Sequence, residues 1–181
     1  MKATGIVRRI DNLGRIVIPK EIRKTLRIKE GEALEIFTDR EGEVILKKYS
    51  PIEELGEYAM QYAEAVHQNM GHSILITDTD QIIAGAGAGK REAMNQSISK
   101  GFEKLLEQRE QKKLCKGERN YTDIYHAMQI DLETYLFTPI IHEGNVIGSI
   151  VVVPKNQKYK IGEVEMKVAA VGAYYLSNQM S

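Results

Sequence analysis

A single cysteine, no tryptophan and no net charge mark this sequence, and each scarcity closes a route. With Cys115 alone, the chain builds neither an internal disulfide framework nor a zinc site of paired thiolates, which leaves packing and association to stabilise it. Long apolar runs are missing as well. No stretch approaches the roughly 20 uncharged apolar residues of a membrane-crossing helix, and arginines stand where a signal peptide needs an apolar core, so the expected compartment is the cytoplasm. The 181 residues are 43% hydrophobic and 28% charged, which suits one compact domain or two small ones.

The zero net charge hides a division along the chain. Residues 1–29 hold nine basic side chains (Lys2, Arg8, Arg9, Arg15, Lys20, Arg23, Lys24, Arg27, Lys29) against Asp11 and Glu21, and the remainder is acidic by the same margin. Such a split predicts one end that meets a polyanion and another that does not.

Two units are expected, joined near Tyr49-Ser50-Pro51. In the first, apolar alternation predicts strands over Ala3 to Ile10, Arg15 to Ile18, Leu34 to Thr38 and Val44 to Lys48, with turns at residues 11–14 and 40–42. A short helix lies between them, Pro19 in its first turn and Ile22 and Leu26 on its apolar face. Fewer than 50 residues with no disulfide bury too little surface for comfortable stability, and short strands leave open edges. This unit is therefore expected to pair with a second copy.

The second unit opens on a capping box, Ser50, Pro51 and Glu53, followed by a heptad-like seam of Ile52, Leu55, Ala59, Tyr62 and Val66 that packs within the chain or across a dimer. A hairpin is predicted from Ser73 to Thr77 and Gln81 to Ala84, and a helix from Arg91 to about Glu110. A polar loop over Gln111 to Asn120 follows, then a second hairpin of Tyr135 to Ile141 and Val146 to Val153. The closing helix, from about Ile161 to Asn178, is expected to present Ile161, Val164, Val168, Val171 and Tyr175 as one face, while Ala169, Ala170, Gly172 and Ala173 permit close approach of a partner helix. Helix, hairpin, helix, hairpin, helix describes an α+β sandwich on an antiparallel sheet.

Chemistry-bearing residues are sparse outside the basic end. Gly85-Ala86-Gly87-Ala88-Gly89-Lys90 suggests a phosphate loop, but the spacing is one residue short and Arg91 stands where Ser or Thr would hold magnesium. His67, His72, His126 and His142 show neither metal-ligand spacing nor an acidic partner pattern, and no metal is expected. No paired carboxylates are placed for acid–base work, so no catalytic residue is assigned. Tyr121, Tyr125, Tyr135 and Phe137 either line a pocket or complete a core, and no cofactor is assigned. The basic clusters are Arg8 and Arg9 before the first turn, Arg15 after it, and Arg23 with Lys24 on the short helix. Doubled in a two-fold dimer, they would follow phosphates and offer guanidinium forks to guanine edges; the bland alternative is a solvated face.

The run from Lys2 to Leu26, with Asp11, Leu13, Gly14, Arg15, Val17, Ile18 and Pro19 at its core, closely resembles the AbrB family of transition-state regulators. The match continues through Leu34-Glu35-Ile36-Phe37 to Ile45-Leu46-Lys47-Lys48-Tyr49. This resemblance implies a swapped-hairpin barrel of two interleaved chains, with Arg8, Arg15, Arg23 and Lys24 as contacts to double-stranded DNA and Arg9 as a helper. Family members often carry arginine where this chain has Lys24; lysine keeps the charge without the planar fork, which suits a phosphate contact. Residues 56–178 resemble GAF-type domains. Together the resemblances imply a nucleoid-associated regulator of spore development, activator and repressor, acting in the forespore as a tetramer of two barrel dimers with paired GAF-like domains. The expected division is a DNA-binding domain over 1–50, a connection over 51–55 and a GAF-like regulatory or assembly domain over 56–181. A small-molecule ligand of that domain stays open, and an antitoxin-like protein-interaction module is the alternative.

Overall fold

The computed structural model describes residues 5–28, 30–31, 33–49, 56–126, 128 and 131–179. Two compact units emerge, Met1–Tyr49 and Ser50–Ser181.

In the first unit the turn after Ile10 closes with Asp11 N donating to Arg15 O at 3.0 Å and Gly14 N to Asp11 O at 3.0 Å. Gly14 takes φ +76°, a left-handed position that glycine fills without strain. Helix α1 (Lys20–Thr25) starts from Pro19 at φ −56°. It stops where Arg27 turns left-handed, with Ile28 N donating to Arg23 O and Arg27 N to Lys24 O. Strands β1 (Leu34–Thr38) and β2 (Val44–Lys48) then pair antiparallel as expected, Phe37 opposite Ile45. Asp39 Oδ1 holds their turn by accepting from Glu41 N and Glu43 N.

The two arms flanking Asp11 depart from expectation. Ala3 and Thr4 lie outside the described residues, and residues 5–10 and 15–18 form no strand. A strand exists only with a partner ladder, and among the described residues neither arm is part of a sheet. Val7 stays 87% exposed and Val17 73%. Among the described residues of the first unit Pro19 alone is buried, so this unit encloses almost no core of its own.

Ser50, Pro51, Ile52, Glu53 and Leu55, the capping box and the start of the seam, lie outside the described residues. From Gly56 the seam packs inside the chain: α2 (Gly56–Met70) buries Ala59, Ala63 and Val66 against the sheet. That sheet has five antiparallel strands in the order β4-β3-β7-β6-β5. They are β3 (Ser73–Thr77), β4 (Ile82–Ala86), β5 (Lys112–Cys115), β6 (Thr134–His142) and β7 (Asn145–Val153). Both faces are covered. Ile74, Ile76, Leu136, Ile140, Ile150 and Val152 point to one core, whereas Leu75, Tyr135, Phe137 and Val151 point to the other, which is why these strands read as continuous apolar runs.

Four expectations in this unit are corrected. The strand expected at Gln81–Ala84 starts one residue later and runs on to Ala86, because Gln81 instead bridges Ser97. The long helix is two short ones, α3 (Lys90–Ala93) and α4 (Lys100–Gln108). Its middle is captured by the sheet edge: Asn95 N donates to Ile82 O, Ile82 N to Gln96 O and Ile98 N to Asp80 O, and Ser99 then caps α4 by accepting from Phe102 N. Tertiary pairing overrides the local helical period there. The stretch expected as loop contains edge strand β5, which one fully buried residue, Leu114, anchors.

The last correction concerns α5 (Glu163–Asn178), whose buried face is Glu165, Ala169, Gly172, Ala173, Leu176 and Ser177. Val164 and Val171, expected on its apolar face, are 64% and 69% exposed, whereas Ala169, Gly172 and Ala173 make the close approach that their size permits. A Cβ at Gly172 would fall 2.2 Å from Tyr62 Cζ, and the Tyr62 hydroxyl donates to Val168 O at 3.0 Å. Only the small-residue face fits so close a crossing.

Glu165 and His72 are both buried and meet at 3.5 Å, an acidic partner that the histidine spacing did not reveal. Lys155 N donates to His72 Nδ1, which leaves Nε2–H to face the carboxylate. Burial alone pushes the Glu165 carboxyl up, but donation from Gly162 N, the Tyr159 hydroxyl, its own amide and His72 outweighs it and leaves the pKa below the usual value. A carboxyl depressed by folding contributes stability that is present above the unfolded value of about 4.3 and is lost as pH falls through the folded value. Urea midpoints measured from pH 6 downward are therefore expected to fall more gently in Glu165→Gln than in the unaltered chain. Parallel slopes would show that the carboxylate contributes nothing to acid sensitivity.

Candidate nucleic-acid interface

The cations that the sequence singles out all belong to the first unit, on two local frames. Arg8 and Arg9 are exposed on the arm entering the Asp11 turn, and Arg15 leaves it. Arg23 and Lys24 occupy the last turn of α1, where a helix C-terminus favours positive charge. Lys24 is exposed; Arg23 is half-buried and its Nε is enclosed with no hydrogen-bond partner. The Asp11 turn separates the arm that carries Arg8 and Arg9 from the one that begins at Arg15.

One acid enters this group. Asp11 Oδ2 accepts from Arg15 Nε at 2.8 Å while Oδ1 accepts from Leu13 N at 2.9 Å and Arg15 N at 2.8 Å. Donation from the Arg15 amide, then from its guanidinium, holds the Asp11 carboxyl below the ordinary carboxylate range. In the sequence Asp11 was a negative charge, a turn residue and part of the motif, with no tie to the arginine side chain. The signal that could have found it is an acid four residues before an arginine across a glycine turn.

The other candidates disperse. In the glycine run, a Cβ at Gly87 would meet Ser73 Oγ at 2.7 Å and His67 Nδ1 at 2.9 Å, so packing explains it, and Lys90 Nζ donates to Met60 Sδ at 3.3 Å. His67 donates to His72 O and His142 to Ser177 O, each a local tie. Among the described residues no cluster of His, Cys, Asp and Glu is arranged to hold a metal. Among the described residues no helix is long and apolar enough to cross a membrane. Of the four aromatic residues read as either lining a pocket or completing a core, Tyr135 and Phe137 are core and Tyr121 ties to Leu132 O. Tyr125 does line a cavity of about 230 Å³, with Leu75, Ile124, Met128 and Leu132.

Comparison with known proteins sorts the two units separately. A family model described as "Stage V sporulation protein T C-terminal, transcription factor" matches residues 54–181, and one described as "Antidote-toxin recognition MazE, bacterial antitoxin" matches residues 7–54. Stage V sporulation protein T of Bacillus subtilis (strain 168) is 49% identical over 180 residues, 99% of each chain. The transition state regulatory protein AbrB of the same organism is 63% identical over 51 residues, covering 28% of this chain and 52% of that one. For the fold of the second unit, the GAF domain of an Acinetobacter phosphoenolpyruvate-protein phosphotransferase superposes with a TM-score of 0.58 at 16% identity, covering 72% of this chain and 87% of that domain.

Proposed function

The chain belongs to the stage V sporulation protein T family and is a DNA-binding transcription regulator, and from that premise we propose how its parts divide the work. Residues 1–50 form the DNA-binding domain as a two-fold dimer of swapped hairpins, 51–55 connect, and 56–181 form a GAF-like domain that assembles or senses. One observation carries this reading: the first unit leaves its apolar arms uncovered and Arg8, Arg9 and Arg15 exposed. A second copy supplies the missing ladders and core, and the same pairing doubles the cations into one face. Arg8, Arg15 and Arg23 offer forks to base edges, Lys24 contacts phosphate and Arg9 helps neutralise the backbone. The protein is a regulator rather than an enzyme. Its targets are sporulation genes, some activated and others repressed, and its site of action is the forespore nucleoid.

A tetramer completes the assembly. Val164, Val171, Tyr174 and Tyr175 form an exposed apolar stripe on α5, on which GAF-like domains of two dimers pair. Affinity of the full chain for a DNA duplex is expected to fall linearly with salt on logarithmic axes, with a slope of about −0.9 per phosphate contacted. The mass in solution is expected to be that of four chains, and of two chains in Val171→Asp. No retardation of any duplex at low salt, or a solitary chain in solution, would overturn the reading. The antitoxin family match over residues 7–54 favours a second reading, a protein-binding barrel. Co-purification of a small protein in equal amount would support it.

A further inference from the structure

The carboxylate of Asp11 lies against Arg15, and its two oxygens have separate tasks. Oδ1 closes the turn by accepting from Leu13 N and Arg15 N. Asparagine would do this equally well, since an amide oxygen accepts the same bonds. Oδ2 does something that the turn does not require: it takes the Nε–H of Arg15 at 2.8 Å. The Arg15 side chain is nevertheless 71% exposed, so its remaining donors face outward. With Nε committed, those donors are the two Nη groups, an end-on fork that fits the O6 and N7 acceptors of guanine.

Charge separates this from a plain turn cap. A carboxylate beside a duplex repels phosphates and weakens binding to every sequence alike. Exposed ion pairs also add little to folding, so neither stability nor affinity accounts for a negative group here. Selectivity does. An arginine free to rotate serves any phosphate, whereas one held by its Nε edge presents a single geometry.

We propose that Asp11 is a positioning residue for DNA readout: its carboxylate holds the Arg15 guanidinium in one orientation, lowering attraction to DNA in general while raising discrimination between sequences. The inference rests on the proposal above that Arg15 reads a base.

The test compares full-length unaltered and Asp11→Asn proteins on two duplexes, one selected from a random pool by the unaltered protein and one of scrambled sequence. Asp11→Asn keeps the turn acceptor and removes the charge. Its affinity for the scrambled duplex is expected to hold or rise, that for the selected duplex to fall, and the ratio between them to drop about tenfold. In an Arg15→Lys background the same change is expected to leave the ratio where it was, because an ammonium has no fork to orient. An undiminished ratio in Asp11→Asn overturns the proposal. So does a parallel loss on both duplexes with a lowered melting temperature, which would make Asp11 a turn cap only. An unchanged ratio in Arg15→Lys itself would instead refute base reading by Arg15, a result distinct from either.

Discussion

Arg15→Ala is expected to cost the protein most of its ability to find a preferred sequence. A guanidinium reading a base is worth about 1–3 kcal/mol of discrimination, and a two-fold dimer carries the substitution twice, which brings the loss to roughly 2–6 kcal/mol. In equilibrium terms that is a weakening on the order of 30- to 10⁴-fold on a duplex selected by the unaltered protein. Binding to scrambled duplex should suffer far less, because phosphate attraction is shared among many cations. Lys24→Ala provides the contrast. Its exposed ammonium at the end of α1 is assigned to phosphate, so both duplexes should weaken alike and the salt slope should shrink by about one per contact removed. Fluorescence anisotropy across a salt series measures all of these quantities. Equal losses for Arg15→Ala on both duplexes would move Arg15 from the reading residues to the neutralising ones.

Phe102→Ala is expected to destabilise the second unit by about 3–5 kcal/mol, the usual range when a buried phenylalanine leaves a cavity. Phe102 is fully buried and meets Phe137 edge-on at 5.3 Å, with Tyr135 at 6.5 Å. The site cannot easily collapse into the gap. α4 is held at its start by the Ser99 cap, and a Cβ at Gly101 would already lie 2.0 Å from Thr122 Oγ1, so the helix has no room to slide. Tyrosine fluorescence reports the event directly, because the chain has no tryptophan and Tyr121 packs on Tyr135 within the same cluster. A urea-derived loss below about 1 kcal/mol would mean that this core repacks, contrary to the geometry. Val171→Ala, on the exposed stripe of α5, should change the stability of an unassociated chain by less than about 0.5 kcal/mol.

Much of this was legible before any coordinates. The strand pairs Leu34–Thr38 with Val44–Lys48 and Ser73–Thr77 with Ile82–Ala86, to within a residue or two, follow from short apolar runs between turn residues. The basic clustering of Arg8, Arg9, Arg15, Arg23 and Lys24 is a property of order along the chain and needs no fold at all. Where the reading missed, the deciding partner was distant. The helix expected from Arg91 to about Glu110 lost its middle to hydrogen bonds that tie Asn95, Gln96 and Ile98 to Asp80 and Ile82. β5 became a strand because β6 offered an unpaired edge to a polar stretch holding one leucine. α5 turned Val164 and Val171 outward because Tyr62, over a hundred positions earlier, leaves no room for a Cβ at Gly172.

The same distinction governs the interface. Composition and spacing determine that the first unit is cationic and hungry for a partner, since charge and apolar alternation are written residue by residue. Which arginine is held, and by what, belongs to three-dimensional arrangement: a glycine at φ +76° folds the chain back so that Asp11 reaches the Nε of Arg15. Hydrogen-bond direction depends on where the backbone places two groups in space, and no count of charges contains it.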